Sequence, residues 1–195
     1  MVNKPAGLLS VPGRGADKTD SLTTRVQKEF PDALCVHRLD MSTSGLLVLA
    51  RGKEMHGRLS RLFRDRMVRK CYIAIIKGRL RAAAGEIDLP LGPDWPNRPR
   101  QKVNFAEGKS SLTRYLLLAH DAATGTSRVE LEPVTGRTHQ LRVHMAAIGH
   151  PIVGDRLYGV EAGSSTDRLM LHASKLSFVH PFSAEPLTLV CEAPF

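Results

Sequence analysis

The stretch His37-Arg38-Leu39-Asp40-Met41-Ser42-Thr43-Ser44-Gly45 leads directly into the apolar run Leu46-Leu47-Val48-Leu49-Ala50. The apolar run is short and continuous, which is typical of a strand buried on both faces. The preceding stretch is polar and turn-prone, so it predicts a loop at the start of a core strand. Polar groups fixed between rigid elements are frequent components of functional sites. Asp40, the carboxylate of this loop, is therefore a candidate functional residue.

The remaining pattern predicts an α+β fold with a mixed, mostly antiparallel central sheet flanked by helices and loops. Helices are predicted from Ser21 to Pro31, over 53–68, and from a cap at Thr138 to a stop at Gly149. The predicted strands cover 46–50, 71–76, 113–119, 127–133, 169–173, 175–179 and 186–191. Residues 3–21 and the proline-rich residues 88–102 predict irregular structure. No internal repeat divides the sequence, so we expect a single domain over 1–195.

The composition favours a polyanionic partner. The net charge is +9, from 28 Lys and Arg against 19 Asp and Glu. Each Lys or Arg placed on a phosphate releases a condensed counterion, so this balance suits nucleic acid, although many basic proteins without such a partner share it. The aromatic share of 5% disfavours a pure stacking platform of the RRM or OB type.

The spacing of the cysteines and the hydropathy of the sequence indicate the cellular compartment of the protein. Cys35, Cys71 and Cys191 are far apart in the sequence and form no CxxC pair. This predicts reduced cysteines and a cytoplasmic protein. No apolar stretch approaches the length of a membrane span, so no membrane partner is expected.

The segment Gly136-Arg137-Thr138-His139-Gln140-Leu141-Arg142 is a dense source of cations for Asp40. An Arg142–Asp40 pair would lower the pKa of the carboxyl group and hold it as the anion that a nucleophile needs. A structural ion pair beside a turn also explains these residues, because buried ion pairs usually serve geometry rather than chemistry. Likewise Tyr72, inside an apolar strand, is by residue type a core tyrosine, and Arg38 a surface arginine. The residues alone leave these alternatives open.

The ordered motifs of the chain resemble those of the RluA family of pseudouridine synthases. They are Asn3-Lys4-Pro5-Ala6-Gly7-Leu8, His37-Arg38-Leu39-Asp40 with Thr43-Ser44-Gly45-Leu46, Tyr72, residues 136–144, residues 149–155 and Leu171-His172-Ala173. Residues 94–99 and 101–103 resemble the subgroup that modifies both 23S rRNA and tRNA. The resemblance implies the pseudouridine synthase fold, with a catalytic cleft across the sheet and no S4 domain. Family members usually have an edge strand before the first motif, and we expect that strand to be missing from this chain.

The resemblance also implies roles for individual residues. Asp40 matches the aspartate that attacks the target uridine, Tyr72 the tyrosine that packs on the flipped base, and Arg142 the arginine that pairs with the aspartate. Arg38 matches an arginine that fills the gap left in the RNA stack. The predicted RNA-binding residues are Arg38, His37, Arg137, His139, Gln140, Arg98 and Lys102.

The same resemblance implies the partners. The expected substrate is RNA, as a hairpin loop of 23S rRNA, the tRNA anticodon stem-loop, or both, and the enzyme is expected to be a monomer. Isomerisation changes no redox state and transfers no external group, so neither a cofactor nor a metal is expected.

Two other function classes account for part of the sequence. A non-catalytic RNA-binding protein could use the basic segment 51–70 and the Pro/Arg-rich segment 88–102. A metal-dependent hydrolase could use His37, Asp40, His139, His144 or His172. His139 and His144 are five residues apart, however, rather than the four of a helical HExxH pair, which disfavours the hydrolase.

Overall fold

The computed structural model describes residues 1–15, 18–159 and 166–195. The chain divides into two compact units. The first unit comprises Met1–Lys70 and His172–Pro194, and the second comprises Cys71–Leu171 together with Phe195. The mixed α/β class and the mainly antiparallel strand pairing confirm the predicted fold class. The single catalytic domain over 1–195 stays a prediction.

The strands are β1 Val2–Lys4, β2 Ala33–Cys35, β3 Ser44–Leu47, β4 Leu49–Arg51, β5 Arg69–Lys77, β6 Ala84–Asp88, β7 Leu91–Pro93, β8 Gln101–Val103, β9 Leu112–Asp121, β10 Thr126–Pro133, β11 Leu171–Val179 and β12 Pro186–Val190. The α-helices are α1 Leu22–Gln27, α2 Gly52–Arg64 and α3 Gln140–Ala147. No helix in the described part of the chain is long and apolar enough to cross a membrane.

In the first unit, β3 lies between β1 and β11. It runs antiparallel to β1 and parallel to β11, and β12 adds an antiparallel strand on β11. β2 and β4 form a separate antiparallel pair. The core of this unit consists of the buried side chains Leu46, Val48, Ala50, Leu59, Val68, Leu176 and Phe178. Helix α2 contributes Leu59 to this core because its apolar residues recur at helical spacing along one face.

Gly45 is required at the centre of β3. Its φ is +113°, and a Cβ there would stand 2.3 Å from the carbonyl oxygen and 2.5 Å from the nitrogen of Ala173. The two residues are direct partners in the parallel register of β3 and β11. Any side chain would therefore collide with the backbone of the neighbouring strand.

In the second unit, β5, β10, β9 and β6 form an antiparallel sheet in that order, and β7 pairs with β8. The core contains Ala74, Ile76, Leu80, Ile87, Val129, Leu131, Leu141, Met145, Ile152, Leu169 and Leu171. Helix α3 contributes Leu141 and Met145, four residues apart on one face, so the helix is fixed to the sheet by apolar packing.

Several predicted elements are confirmed. Ser21 caps α1 through a hydrogen bond from the Thr24 N–H, with the reciprocal bond from its own N–H to the Thr24 hydroxyl, although the helix ends at Gln27 rather than Pro31. Helix α2 begins where predicted but ends at Arg64 rather than 68, and strand β5 and the β9–β10 hairpin lie where the pattern places them.

Other predictions are wrong in ways that have local causes. The run 46–50 forms parts of two strands, because Val48 leaves the ladder and its N–H donates to a side chain, His37 Nε2, at 3.0 Å. Residues 88–102 contain a two-stranded hairpin, with a 3-10 turn over Trp95–Asn97 and the prolines at strand ends and in the turn. Residues 171–179 form one strand, not two.

The ends of two further segments also differ from the prediction. Val2–Lys4, at the start of the segment predicted to be irregular, pairs with β3, whereas residues 16 and 17 of that segment lie outside the described residues. Thr138 does not cap α3. The N-cap is His139 in the left-handed region at φ 54°, and Gly149 has φ +85° past the helix end.

Candidate active site

The backbone on both sides of Asp40 is held by hydrogen bonds within the first unit. Ser10 Oγ donates to the Leu39 carbonyl at 2.7 Å and accepts from the Leu39 N–H at 3.0 Å. The Thr43 N–H donates to the Asp40 carbonyl at 3.1 Å, which closes a turn. Leu39 is buried and Asp40 is half-buried, so a fixed loop presents the carboxyl group.

Lys4 is buried and holds the same loop in place through hydrogen bonds. Its side chain is fully buried, and Nζ donates to the carbonyl oxygens of Leu8 at 2.7 Å, Pro5 at 2.9 Å and Met41 at 3.0 Å. The Gly7 N–H donates to the same Met41 carbonyl at 2.8 Å. Burial lowers the pKa of Lys4 to about 8, and the negative charge of Asp40 opposes part of that change. The first motif of the sequence thus positions the residue that follows Asp40 and places a cation near its carboxylate.

His37 is held inside the first unit. Its Nε2 accepts from the Val48 N–H, so the proton of the neutral ring is on Nδ1. The ring stacks on Phe63 with centroids 4.3 Å apart and planes 16° apart. Burial, and to a smaller extent the charge of Lys70, lowers the pKa of His37 to about 3. The arrangement supports a role in fixing the loop rather than the predicted RNA contact. Arg38, by contrast, is exposed.

Tyr72 lies on β5 of the second unit, opposite Leu131 on β10. Its ring is half-buried and packs against the core cluster of that unit. Apolar packing therefore fixes the strand position of the ring, as the alternative of a core tyrosine predicts, while part of the side chain stays accessible. The predicted role in binding the target base stays a prediction.

Arg142 on α3 is buried and forms a bidentate pair with Asp155 in the second unit. Nε lies 2.8 Å from Oδ2, and Nη2 lies 2.7 Å from Oδ1. Asp155 Oδ1 also accepts from the N–H groups of Leu157 at 2.9 Å and Tyr158 at 3.2 Å. Sequence reasoning did not predict the Asp155 pair. The predicted pairing of Arg142 with Asp40 stays a prediction.

Tyr158 connects the start of α3 to β8. Its hydroxyl accepts from the Gln101 N–H at 2.8 Å and lies 2.6 Å from His139 Nδ1. Because the hydroxyl oxygen accepts one bond, its own proton is available for His139 Nδ1. The Arg142 guanidinium stands 5.1 Å from the centre of the Tyr158 ring. His139, a predicted RNA-binding residue, is therefore positioned by a tyrosine hydroxyl.

Gln140 is buried, and all four hydrogen-bonding positions of its amide are used within the second unit. Oε1 accepts from the Thr135 hydroxyl at 2.6 Å and the Arg137 N–H at 3.0 Å. Nε2 donates to the Leu112 carbonyl at 2.9 Å and to Thr113 Oγ1 at 3.0 Å. The predicted RNA contact of Gln140 has no support in this arrangement, which fixes α3 on β9.

The three remaining predicted RNA-binding residues lie at the surface of the second unit. Arg137 is half-buried and donates through Nε to the Ser110 carbonyl at 3.2 Å. The Arg98 guanidinium stacks on the Trp95 ring, 3.6 Å from its centre. Lys102 Nζ lies 3.8 Å from Asp94 Oδ1, with about half of the lysine side chain exposed. Their cationic groups are placed where a phosphate could reach them.

Sequence reasoning gave no role to Lys4, Ser10, Asp155 or Tyr158. Lys4 and Asp155 stand inside motifs that carried the family resemblance, so each could have been singled out as a charged residue in a turn-rich motif. Nothing in the residue pattern indicates Ser10 or Tyr158, because their partners Leu39 and His139 are distant in the sequence. Among the described residues, no three His, Cys, Asp or Glu side chains group as a metal site.

Comparisons with known proteins identify the family of the chain. Residues 1–147 match the family model described as RNA pseudouridylate synthase. The chain is 53% identical over its whole length to a protein of Yersinia pestis named dual-specificity RNA pseudouridine synthase RluA, covering 95% of that protein. It is 50% identical over its whole length to the Escherichia coli K12 protein of the same name, covering 89% of it.

A solved structure supports the fold. Human RNA pseudouridylate synthase domain containing 1 is 33% identical, with a TM-score of 0.77, and the match covers 100% of this chain and 87% of the human one. The chain belongs to the RluA family of RNA pseudouridine synthases.

Proposed function

We propose that this chain converts uridines in structured RNA loops to pseudouridine, with Asp40 as the nucleophile. The observation that carries the proposal is the double restraint of the Asp40 loop, by Ser10 at Leu39 and by Lys4 and Gly7 at Met41. A nucleophile must be held in one position, and the hydrogen bonds on both sides of Asp40 meet that need. Full-length identity of 50–53% to named synthases supports the same activity.

The chemistry is an isomerisation. The bond between N1 of the base and C1′ of the ribose breaks, a bond between C5 and C1′ forms, C5 loses a proton and N1 gains one. Asp40 serves as the nucleophile whether it attacks C1′ or C6. Atoms and charge balance without an external reactant, so we propose that no cofactor or metal takes part.

The target base has to leave its stack before Asp40 can reach it, at a cost of a few kcal/mol. Arg38 is exposed immediately before the Asp40 loop, which suits a side chain that fills the vacancy. We assign Tyr72 to the face of the flipped base, where stacking contributes about 1–3 kcal/mol. Arg142, held by Asp155, is the proposed cationic partner of Asp40.

The proposed substrates are a hairpin loop of 23S rRNA and the anticodon stem-loop of tRNA. The relatives are named dual-specificity enzymes, and this motivates testing two RNA classes. The net charge of +9 suits either polyanion. We further propose that the enzyme acts as a monomer in the cytoplasm.

The test uses purified protein, each RNA labelled with tritium at C5 of uridine, and buffer containing EDTA. Tritium release measures turnover, and filter binding measures affinity. Wild type should release tritium, and Asp40→Asn should bind RNA within a few-fold of wild type without turnover. Asp65→Asn, an exposed carboxylate change at the end of α2, is the control and should remain active. Wild-type protein that binds RNA without releasing tritium is instead a non-catalytic RNA-binding protein.

A further inference from the structure

The β7–β8 hairpin presents the single tryptophan of the chain to solvent. Trp95 is 64% exposed and belongs to neither core cluster. One face of its ring is covered by the Arg98 guanidinium at 3.6 Å from the ring centre. A ring capped on one side by a guanidinium still offers its other face to a planar partner such as a nucleic acid base.

The turn that carries Trp95 is held in place by its own hydrogen bonds. The Asn97 N–H donates to the Asp94 carbonyl at 3.1 Å, the Asp94 N–H to the Arg100 carbonyl at 3.0 Å, and the Arg100 N–H to the Asn97 carbonyl at 2.9 Å. The Asn97 amide also donates to Asp94 Oδ2 at 2.9 Å. With the backbone and one face of the ring already ordered, binding on the other face costs little conformational entropy.

The charge around the ring favours a polyanion. Four exposed cations lie on the same hairpin and the turn that follows it: Arg98, Arg100, whose guanidinium stands 5.6 Å from the centre of the Tyr158 ring, Lys102 and Lys109. Lys109 is tied to this hairpin by two backbone hydrogen bonds with Leu91. The nearby acids are Asp94, which is occupied by Asn97 and Lys102, and the exposed Glu107. An aromatic ring among cations matches the base and backbone of single-stranded nucleic acid.

We infer that the open face of Trp95 stacks an unpaired base of the substrate RNA other than the uridine that reacts, while Arg100 and Lys102 contact the adjoining phosphates. This rests on the proposed function for the choice of RNA over another polyanion. The hairpin then contributes affinity for loop-containing RNA and takes no part in bond making. Removing the ring should therefore change RNA binding without changing the chemical step.

Tryptophan fluorescence tests this directly, because the chain has one tryptophan. The probe is an anticodon-type RNA stem-loop, titrated into Asp40→Asn protein so that no turnover occurs. A fully paired RNA duplex of equal length is the comparison. The stem-loop should quench the emission in a saturable way, and the duplex should quench it far less at equal occupancy. If filter binding shows that the stem-loop occupies the protein and the emission is not quenched, the inference is overturned.

The second measurement uses active protein with Trp95 replaced. Trp95→Ala should raise the Kd and KM for the stem-loop about tenfold, corresponding to about 1.4 kcal/mol of stacking. The single-turnover rate at saturating RNA should stay at the wild-type value, and Trp95→Phe should recover most of the affinity. A lower saturating rate with unchanged Kd would contradict the assignment.

The matched control is Phe182→Ala in the first unit. Phe182 is 52% exposed, and the Arg58 guanidinium stands 4.3 Å from the centre of its ring, so it is also an arginine-capped surface aromatic. Its loss should leave the RNA affinity unchanged, and a loss equal to that of Trp95→Ala would overturn the inference. Failure of the proposed function is distinguishable, because wild-type protein would then release no tritium whatever the fluorescence shows.

Discussion

Asp155 binds the buried guanidinium of Arg142 through both carboxylate oxygens. Arg142 Nε donates to Oδ2 at 2.8 Å, and Nη2 donates to Oδ1 at 2.7 Å. The same Asp155 also accepts the N–H groups of Leu157 and Tyr158. One carboxylate thus fixes both the arginine of α3 and the turn that carries Tyr158. A planar bidentate pair defines the orientation of a guanidinium more strictly than a single contact does.

Asp155→Asn should therefore damage both stability and activity. Removing one partner of a buried ion pair leaves an uncompensated charge and typically costs about 3–5 kcal/mol. We expect the free energy of unfolding in urea to fall by about that amount. We also expect the single-turnover rate to fall more than the RNA affinity, since Arg142 would lose its orientation.

Glu54→Gln is the control for that experiment. Glu54 pairs with Arg58 one turn away on the exposed face of α2, and such pairs are worth about 0.3–0.5 kcal/mol. An Asp155→Asn protein no less stable than this control would show that the buried pair is not what holds Arg142.

The buried chain of polar groups between α3 and β9 gives a second prediction. His144 Nε2 lies 3.0 Å from the Leu89 carbonyl, so it must donate, and Nδ1 must then accept from the Thr113 hydroxyl at 3.0 Å. The Thr113 oxygen in turn accepts from Gln140 Nε2. Thr113→Val should leave two buried groups without partners, at about 1–3 kcal/mol each, which urea unfolding will measure.

Thr113→Ser keeps the hydroxyl and should recover most of that stability. The comparison separates the hydrogen bonds from the packing of the methyl group. If the valine and serine proteins unfold at the same urea concentration, the hydrogen bonds of the Thr113 hydroxyl do not stabilise the fold.

These polar residues show where prediction from the sequence fails. The Asp40 loop could be predicted because a polar, turn-prone stretch beside an apolar run is a local signal. The RNA contact of Gln140 stays a prediction, but its burial could not be predicted, because it depends on Thr135, Leu112 and Thr113, whose hydrogen bonds occupy its amide. Residue type alone does not distinguish a buried amide from an exposed one.

The same limit applies to the strands. The run 46–50 has the composition of one buried strand, and the break at Val48 depends on His37, a residue eleven positions earlier in the chain. In residues 88–102 the prolines argue against strands, but each lies at a strand end or in the turn, where no ladder hydrogen bond is lost.

Two glycines give opposite predictions for the same substitution. Gly45→Ala would place a methyl group 2.3 Å from the Ala173 carbonyl oxygen, so the protein should fail to fold or lose most of its stability. Gly57→Ala is in the middle of α2 with nothing within 4 Å of the new methyl group, and it should stabilise the protein by up to about 1 kcal/mol. Thermal unfolding followed by circular dichroism measures both. Equal Tm values would contradict the close approach of β3 and β11.

The half-buried His37, whose ring stacks on Phe63, predicts how stability depends on pH. Burial lowers its pKa in the folded protein to about 3, against 6.5 for an ordinary histidine, so between these values the unfolded chain binds a proton that the folded chain does not. The contribution of His37 to stability is therefore complete above pH 6.5 and is lost as the pH falls toward 3, by up to about 1.4 kcal/mol per pH unit.

The measurement is urea unfolding of wild type and His37→Gln at several pH values between 7 and 4. Other groups titrate in both proteins, including His144, whose pKa burial also lowers, so the difference between the two curves isolates His37. Glutamine does not titrate, so the stability of the His37→Gln protein should fall less steeply on acidification than that of wild type. Parallel curves would mean that the His37 ring is protonated without cost, and that its bond to the Val48 N–H does not hold the Asp40 loop in place.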